Sequence, residues 1–415
     1  MRDSATAGVR QFFGRFVRRF GPGFVTAALV LGPGSVVSAS RAGAECGYRL
    51  LWVLATASVL MAAFTAMGAR LGCALERSPL QYLAGRGLRP LAVLTGLASF
   101  LVTAGFQFGN NLGVATAMHG LAGGPEWLWA AGFTGIAVVF LFGARRLYFW
   151  LERFMLLLVA IMIVSFLSNL FWARVDIPKT FAGFVPSLQA ADEVVARAML
   201  ATTFFVVAAF YQAYLVRAKG WGRGELHQAV WDAWSGIAVL GAISATILLG
   251  AAATLHGAGR DFTTVAQLAD QLRGTLGPAA NFVFCCGLAA ASFSSFLVNA
   301  LIGGHLLADG FAQAARIDSP STKWGALGVM LVGCSVAIAT FLFGRGNTTS
   351  LLIAQASTLL AAPLCAVLLF ILTSRKAVMG DLVNSWGGVA VGLVGLGMLL
   401  WLNALTLMRL LGARI

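Results

Sequence analysis

Residues 21–35 read Gly-Pro-Gly-Phe-Val-Thr-Ala-Ala-Leu-Val-Leu-Gly-Pro-Gly-Ser, and the second Gly-Pro-Gly triplet falls inside an apolar segment. Pro33 supplies no amide hydrogen and clashes with the preceding helical turn, and Gly32 and Gly34 have poor helix preference. The triplet therefore predicts a helix that is broken partway along. Irregular backbone at membrane depth is tolerated only where it lines a cavity or is buried in protein. Such a span indicates the binding site of a transporter, and the alternative is a proline kink without a ligand.

The composition of the chain is that of an integral membrane protein. Of 415 residues, 59% are hydrophobic and only 11% are charged, whereas soluble domains carry about 25% charged residues. The excess of Lys and Arg, 29 against 15 Asp and Glu, is expected for cytoplasmic loops and does not require nucleic acid as a partner. No sequence motif for catalysis, metal binding or a cofactor is present. We therefore expect a membrane protein that is not an enzyme, with the lipid bilayer as its surroundings.

Apolar stretches predict an all-α fold with about eleven transmembrane helices. We expect a basic amphipathic arm over residues 1–22, followed by one transmembrane transporter domain over residues 23–411. The predicted spans are 23–41, 50–70, 90–118, 126–143, 149–171, 196–216, 229–255, 278–304, 325–343, 349–372 and 388–408.

Basic residues are unevenly distributed between the two sides of this topology. Lys and Arg are concentrated in the arm and in the loops after the even-numbered spans, and acidic residues show no such bias. Because cytoplasmic loops carry an excess of Lys and Arg, we expect a cytoplasmic N-terminus and an external C-terminus. The expected location is a plasma membrane, the inner membrane of a bacterium.

Several short motifs resemble, in order along the chain, those of the Nramp family of divalent-metal transporters. They cover nearly the whole sequence, and they are Gly21-Pro22-Gly23, Gly32-Pro33-Gly34-Ser35, Ala42-Gly43-Ala44, Gly47-Tyr48-Arg49-Leu50-Leu51-Trp52, Ala69-Arg70-Leu71-Gly72, Leu151-Glu152, Val185-Pro186-Ser187-Leu188, Ser294-Ser295, Gln355, Pro363, Thr373-Ser374-Arg375, Met379-Gly380 and Val383-Asn384-Ser385. The resemblance implies a leucine-transporter-type fold with inverted repeats over about 23–171 and 196–372 and an extra helix over 388–408. It also implies broken first and sixth spans and a site at mid-membrane.

The residues that carry metal and proton chemistry in this family are replaced. Its Asp-Pro-Gly-Asn motif is Gly-Pro-Gly-Ser here, and its Met-Pro-His motif aligns with residues 205–207, which read Phe-Val-Val. Its second span 6 histidine aligns with Gln212, and its acidic pair in span 3 aligns with Gln107 and Asn110. A span 8 glutamine aligns with Phe293. The proposed pocket therefore has no carboxylate, imidazole or thioether ligand, and we expect no metal site.

A candidate substrate site follows from the broken span and from these aligned positions. Its predicted members are Gly32, Gly34, Ser35, Thr202, Phe205, Gln107, Asn110, Gln212 and Phe293. Polar contacts between helices are an alternative role for the two span 3 amides, and core packing is an alternative role for the aromatic residues. Span 6 contains no Pro or Gly between Ala196 and Lys219, so the sequence leaves it either broken or continuous. No Asp or Glu is placed deep in a span, and Asp309 is expected to follow span 8.

Three functions are compatible with these observations. The main hypothesis is a secondary transporter of a small non-metal solute, because an uncompensated divalent charge would be costly at the altered site. The first alternative is a divalent metal cation transporter of the Mn, Fe or Mg type, as in the parent family. The second is a receptor or scaffold that transports nothing. A mid-membrane cavity would favour transport over the last hypothesis, and a carboxylate within its reach would favour a cation.

Overall fold

A computed structural model provides the structure of the chain. It describes residues 21–143, 145–187, 189, 192–257, 262, 264–313, 316–343 and 362–410. The predicted N-terminal arm, except residues 21 and 22, and the first part of the predicted span 349–372 lie outside the described residues.

The described residues form helices joined by short connections, with no strand among them. In chain order, the helices are α1 (Pro22–Val30), α2 (Pro33–Cys46), α3 (Leu51–Ala74), α4 (Pro79–Gly85), α5 (Arg89–Ala122), α6 (Glu126–Phe142), α7 (Arg145–Trp172), α8 (Ile177–Ala182), α9 (Glu193–Thr203), α10 (Val206–Lys219), α11 (Leu226–Thr254), α12 (Val265–Ala269), α13 (Arg273–Leu276), α14 (Ala280–Gly310), α15 (Pro320–Leu342), α16 (Ala362–Ser374), α17 (Lys376–Met379) and α18 (Trp386–Leu410).

The helices confirm an all-α transmembrane architecture. In the described part of the chain, 8 helical segments are long and apolar enough to cross a membrane, or 10 if each of two bent pairs counts as one span. α6, at 17 residues, is a shorter apolar helix at the position of the fourth predicted span. Each predicted segment coincides with a helix or helix pair, the tenth only in its second part. Most boundaries differ by a few residues, and the largest consequence is that α14 continues to Gly310.

Burial separates central helices from peripheral ones. In the apolar 18-residue stretch of Glu193–Lys219, which contains α9 and α10, 94% of the residues are buried in the protein, and in that of the segment that ends with α14 the share is 83%. The corresponding values are 33% for α15 and 22% for α18, so these helices present much of their apolar surface outward, as expected toward lipid. α14 packs against α5, α15 and α7. The central position of α10 and α14 places their polar residues inside the protein.

The first span is broken, as the Gly-Pro-Gly triplet predicts. α1 and α2 meet at an angle of 61°, with Leu31 and Gly32 between them. Gly32 has extended backbone angles, and Pro33 begins α2 at a position where a missing amide hydrogen costs nothing. The sequence therefore both ends the first helix and starts the second.

The sixth span is also interrupted, at Phe204 and Phe205 between α9 and α10. No Pro or Gly causes this interruption. Residues on both sides of the two phenylalanines are β-branched, namely Thr202, Thr203 and residues 206–207, and such residues lower helix preference. The sequence weakens the helix here, and the interruption falls where both phenylalanine rings pack against residues of other helices.

Candidate substrate site at the break in the first span

The break leaves backbone polar groups without their usual helical partners. The carbonyl of Val30 accepts from the amide of Gly32 at 2.8 Å and from the hydroxyl of Ser35 at 2.7 Å. In a continuous helix the carbonyl of Leu29 would accept from residue 33, but Pro33 has no amide hydrogen. The break therefore leaves the Leu29 carbonyl without the donor that a continuous helix would supply.

A small internal cavity lies at the break. Its volume is about 10 Å³, which is space for about one water molecule or one bare ion. The residues that line it are Leu29, Val30, Gly32, Pro33, Gly34, Ser35, Phe106, Asn110, Ser295 and Asn299. The predicted mid-span cavity is therefore present, but it is ion-sized in this conformation.

The wall opposite the break consists of neutral polar side chains from α5 and α14. The amide nitrogen of Asn299 donates to the carbonyl of Thr103 at 2.8 Å and to Gln107 Oε1 at 3.5 Å, and Asn110 Nδ2 donates to the same oxygen at 3.4 Å. Ser295 Oγ, Asn299 Oδ1 and Gln107 Nε2 are buried without a hydrogen-bond partner. Because unpaired buried polar atoms are costly, three of them together indicate a site that a ligand or water completes.

Helical periodicity and one glycine assemble this wall. Ser292, Ser295 and Asn299 follow the spacing that places residues on one face of α14. A β-carbon at Gly113 on α5 would lie only 2.5 Å from the Pro33 side chain and 2.6 Å from Ser292 Oγ. The absence of a side chain at residue 113 therefore lets α5 approach both the break and α14.

Four of the predicted site residues line the cavity directly, namely Gly32, Gly34, Ser35 and Asn110. Gln107 lies behind them and joins Asn110 to Asn299. Thr202 shares a hydrogen bond of 3.1 Å with Ser38 and so joins α9 to α2, but it is not part of the lining.

Gln212 is buried away from the cavity, in the contact between α10 and α1. Its amide lies 2.5 Å from the hydroxyl of Thr26. With the amide oriented to pair all its atoms, its nitrogen donates to the carbonyl of Pro22 at 3.0 Å and its oxygen accepts from the Gly23 amide at 3.2 Å. Gln212 therefore holds α1 in place, and its predicted contact with substrate stays a prediction.

The two predicted aromatic residues are placed differently from each other. Phe205 stacks on Phe106, with 3.9 Å between ring centroids, and Phe106 lines the cavity, so Phe205 supports the wall from behind. Phe293 packs against Phe133, Phe140 and Phe296 in a separate hydrophobic cluster. Phe293 is not part of the cavity lining in this conformation, and its predicted contact with substrate stays a prediction.

Sequence reasoning missed Asn299 and Phe106, and it named Ser295 only as part of a motif that resembles the family. The pattern that identifies Ser295 and Asn299 is a polar stripe at helical spacing within an apolar span. Phe106 precedes Gln107 in a run without a distinctive motif, so only the fold shows its role. Among the described residues, no group of three or more His, Cys, Asp or Glu side chains could hold a metal ion.

Comparison with known proteins identifies the family. The profile of the natural resistance-associated macrophage protein-like (Nramp) family matches residues 23–409. The chain belongs to the Nramp family. This Nramp protein is 28% identical to the divalent metal cation transporter MntH of Deinococcus radiodurans. The alignment covers 96% of this chain and 92% of that protein.

Solved structures agree on the fold of this Nramp protein. A manganese transporter of Eremococcus coleocola, in complex with an aromatic bis-isothiourea substituted compound, superimposes with a TM-score of 0.75 at 19% identity, covering 94% of this chain and 86% of that one. MhsT in complex with L-phenylalanine gives a TM-score of 0.56 at 17% identity, covering 94% and 98%. The leucine-transporter-type fold is confirmed. The family consists of membrane transporters, so transport as the general function is supported.

Proposed function

We propose that this Nramp protein is a secondary transporter of a divalent metal cation, which it binds at the helix break through neutral oxygen atoms. The ion-sized cavity carries this proposal, because its volume of about 10 Å³ suits an ion that has lost most of its water. An organic solute larger than water would not fit this conformation. The names of the relatives, a divalent metal cation transporter and a manganese transporter, support the same substrate class. This reverses the preference that the sequence suggested.

The ligand chemistry at the cavity narrows the cation class. Ser295 Oγ and Asn299 Oδ1 are unpartnered oxygens. Asn110 and Leu29 line the same space, and the carbonyl of Leu29 lacks the donor that a continuous helix would supply. Hydroxyl, amide and carbonyl oxygens suit hard cations such as Mg²⁺, Ca²⁺ and Mn²⁺. Because no carboxylate offsets the charge, we expect weak binding, in about the 10⁻⁴–10⁻³ M range of Ca²⁺ sites with few charged ligands.

Introducing a carboxylate at the cavity should strengthen divalent binding. Asn110→Asp keeps the shape of the side chain, and its nitrogen makes only one long hydrogen bond, of 3.4 Å. Since ligand charge tunes affinity, we expect Asn110→Asp to lower the concentration of Mn²⁺ for half-maximal uptake into proteoliposomes by about tenfold or more, the effect of roughly 1.4 kcal/mol.

A matched control makes the same change far from the cavity. Asn403 on α18 also has a buried, unpartnered amide oxygen, and Asn403→Asp should leave the affinity for Mn²⁺ unchanged. Two results would contradict a divalent cation site at the cavity. One is that neither the native chain nor Asn110→Asp shows saturable Mn²⁺ uptake, and the other is that Asn403→Asp raises the affinity for Mn²⁺ as much as Asn110→Asp does.

A small uncharged polar solute is the second candidate, and one atom favours it. Gln107 Nε2 is a buried donor without a partner, and a cation cannot accept a hydrogen bond. Such a solute is larger than this conformation admits, so the cavity would have to open as far as this donor behind its lining. The solute would then pair with the donor and with the free oxygens of Ser295 and Asn299. A thermal-shift screen with metal ions, amino acids and nucleobases separates the two candidates, since a ligand at 100 times its dissociation constant stabilises by about 2.7 kcal/mol. Asn110→Asp should weaken such a solute while it strengthens Mn²⁺.

We also propose the predicted orientation, with the N-terminus in the cytoplasm. Phe181 on α8 and Phe311 after α14 are both exposed and lie on opposite predicted sides. A cysteine at residue 181 should react with an impermeant maleimide from outside intact cells, and one at residue 311 should react only after lysis. The parent chain serves as the control because five of its six free cysteines are buried. The opposite pattern would reverse the topology.

A further inference from the structure

A second buried polar cluster lies on α14 beyond the cavity, and most of its members are titratable. The hydroxyl of Tyr211 lies 2.8 Å from Nδ1 of His305. The hydroxyls of Tyr214 and Ser78 donate to the carboxylate of Asp309 at 2.7 and 2.9 Å. All five side chains are buried. We call this set the His–Asp cluster, and none of its five residues lines the cavity at the helix break.

The rings of the cluster pack as one unit. Tyr211 and Tyr214 are stacked, with ring centroids 5.3 Å apart, and the ring of His305 meets both edge-on at 5.6 and 5.3 Å. His305 and Asp309 are four residues apart, so they share one face of α14. A change in the charge of either residue therefore acts on the contact between α10 and α14.

A charged side chain at the end of α10 lies near the cluster. Arg217, at the end of α10, interacts electrostatically with Asp309 and Tyr214, and its guanidinium donates to the backbone carbonyls of residues 75 and 76. α5 and α15 pack against this part of α14 through Gly96 and Thr322, which carry no charge. Arg217 also lines an open cleft of about 620 Å³, which brings water close to the cluster.

We propose that the His–Asp cluster binds the proton that drives transport. Histidine is the side chain whose charge ordinarily changes near neutral pH, and buried ionisable groups within membrane spans usually serve as proton relays. The proton adds to a ring nitrogen of His305, one turn from the carboxyl group of Asp309 on the same face of α14. This inference rests on the proposed secondary transport, for which it names the coupling ion.

Proton binding also changes a hydrogen bond at the contact between the helices. Tyr211 can donate to Nδ1 of a neutral His305, but a protonated ring donates from both nitrogens. The bond between Tyr211 and His305 must then run in the opposite direction, which frees the Tyr211 hydroxyl to donate elsewhere. His305 lies about 15 Å along α14 from Ser295, at 1.5 Å per residue. One rigid helix therefore connects the proton to the cavity.

Ring NMR signals of labelled histidine in the purified full chain test proton binding without any transported substrate. Of the 4 histidines, the one whose signal disappears in His305→Gln is His305. We expect this signal to report a change of protonation between about pH 5 and pH 8, and Tyr211→Phe and Asp309→Asn to displace that change. His119→Gln and His227→Gln alter exposed rings and should leave it in place. A His305 ring with one protonation state across this range would overturn the proton site.

Proteoliposomes with Mn²⁺ as the probe test the coupling. An inward proton gradient should raise the initial rate of Mn²⁺ uptake by up to about tenfold per pH unit, the limit for one bound proton, and have no effect in His305→Gln. The control variants should respond like the native chain. If His305 changes its protonation but the proton gradient does not change the rate of Mn²⁺ uptake by the native chain, the proposed coupling of proton binding to transport is wrong. If His305 titrates and Mn²⁺ is not taken up at all, the proposed substrate is wrong and the proton site is supported.

Discussion

Gly32→Ala is expected to abolish transport while leaving the fold intact. A β-carbon at residue 32 would lie 3.4 Å from Ser295 Oγ and 3.8 Å from Asn110 Oδ1, which are ordinary contact distances. The φ of Gly32 is −104°, a backbone conformation that alanine also adopts. The methyl group therefore fits without strain, but it occupies a cavity with space for about one water molecule. We expect uptake of Mn²⁺ to fall to the level of empty liposomes.

The control for Gly32→Ala is the same change at a glycine that faces open space. Gly135 on α6 has no atom within 4 Å of the position of an added β-carbon. Gly135→Ala should keep full uptake, and both variants should keep the thermal unfolding midpoint of the native chain. Full Mn²⁺ uptake by Gly32→Ala would show that the substrate binds elsewhere. A lower unfolding midpoint of Gly32→Ala would contradict the expectation that the methyl group fits without strain.

Gly68→Val is expected to destabilise the protein as a whole. A β-carbon at Gly68 on α3 would lie 2.1 Å from the carbonyl oxygen of Ala209 on α10. Because that neighbour is backbone, it cannot rotate away, and the two helices must separate. Overpacking a tight contact costs about 1–3 kcal/mol and sometimes more, and here it affects the most buried span of the protein. We expect a lower thermal unfolding midpoint and a lower yield of monodisperse protein.

Gly132→Val provides the comparison for this second variant. Gly132 lies on the peripheral α6, and nothing lies within 4 Å of its added β-carbon, so the larger side chain should extend outward at little cost. An unfolding midpoint that drops equally in both variants would mean that valine itself, rather than the contact between α3 and α10, is the cause.

The sequence predicted those features that single residues determine. Pro33 and its flanking glycines carry the break of the first span in their own covalent chemistry, so the 61° bend could be foreseen. The interruption at Phe204 and Phe205 could not, because no residue there forbids a helix. It coincides with the stacking of Phe205 on Phe106, a contact between residues far apart in the chain.

The same limit applies to the two polar clusters. Asn110 was found because it is aligned with a functional position, whereas Asn299 required knowing which face of α14 meets α5. Asp309 was expected beyond its span, since the apolar run ends near Gly304. The helix continues for another turn and a half because Ser78 and Tyr214 supply hydrogen bonds to the carboxylate, which makes its burial possible.

The hydrogen bonds that hold the interrupted spans have a mechanical consequence. Thr26 on α1 is held by Gln212 on α10, whereas Ser38 on α2 is held by Thr202 on α9. Each half of the first span is thus coupled to a half of the sixth span, and the two couplings lie on opposite sides of the breaks. The two pairs of half-helices can act as two levers on a common pivot. A tilt of one pair of half-helices then opens one end of the protein, while the half-helices at the other end remain packed together.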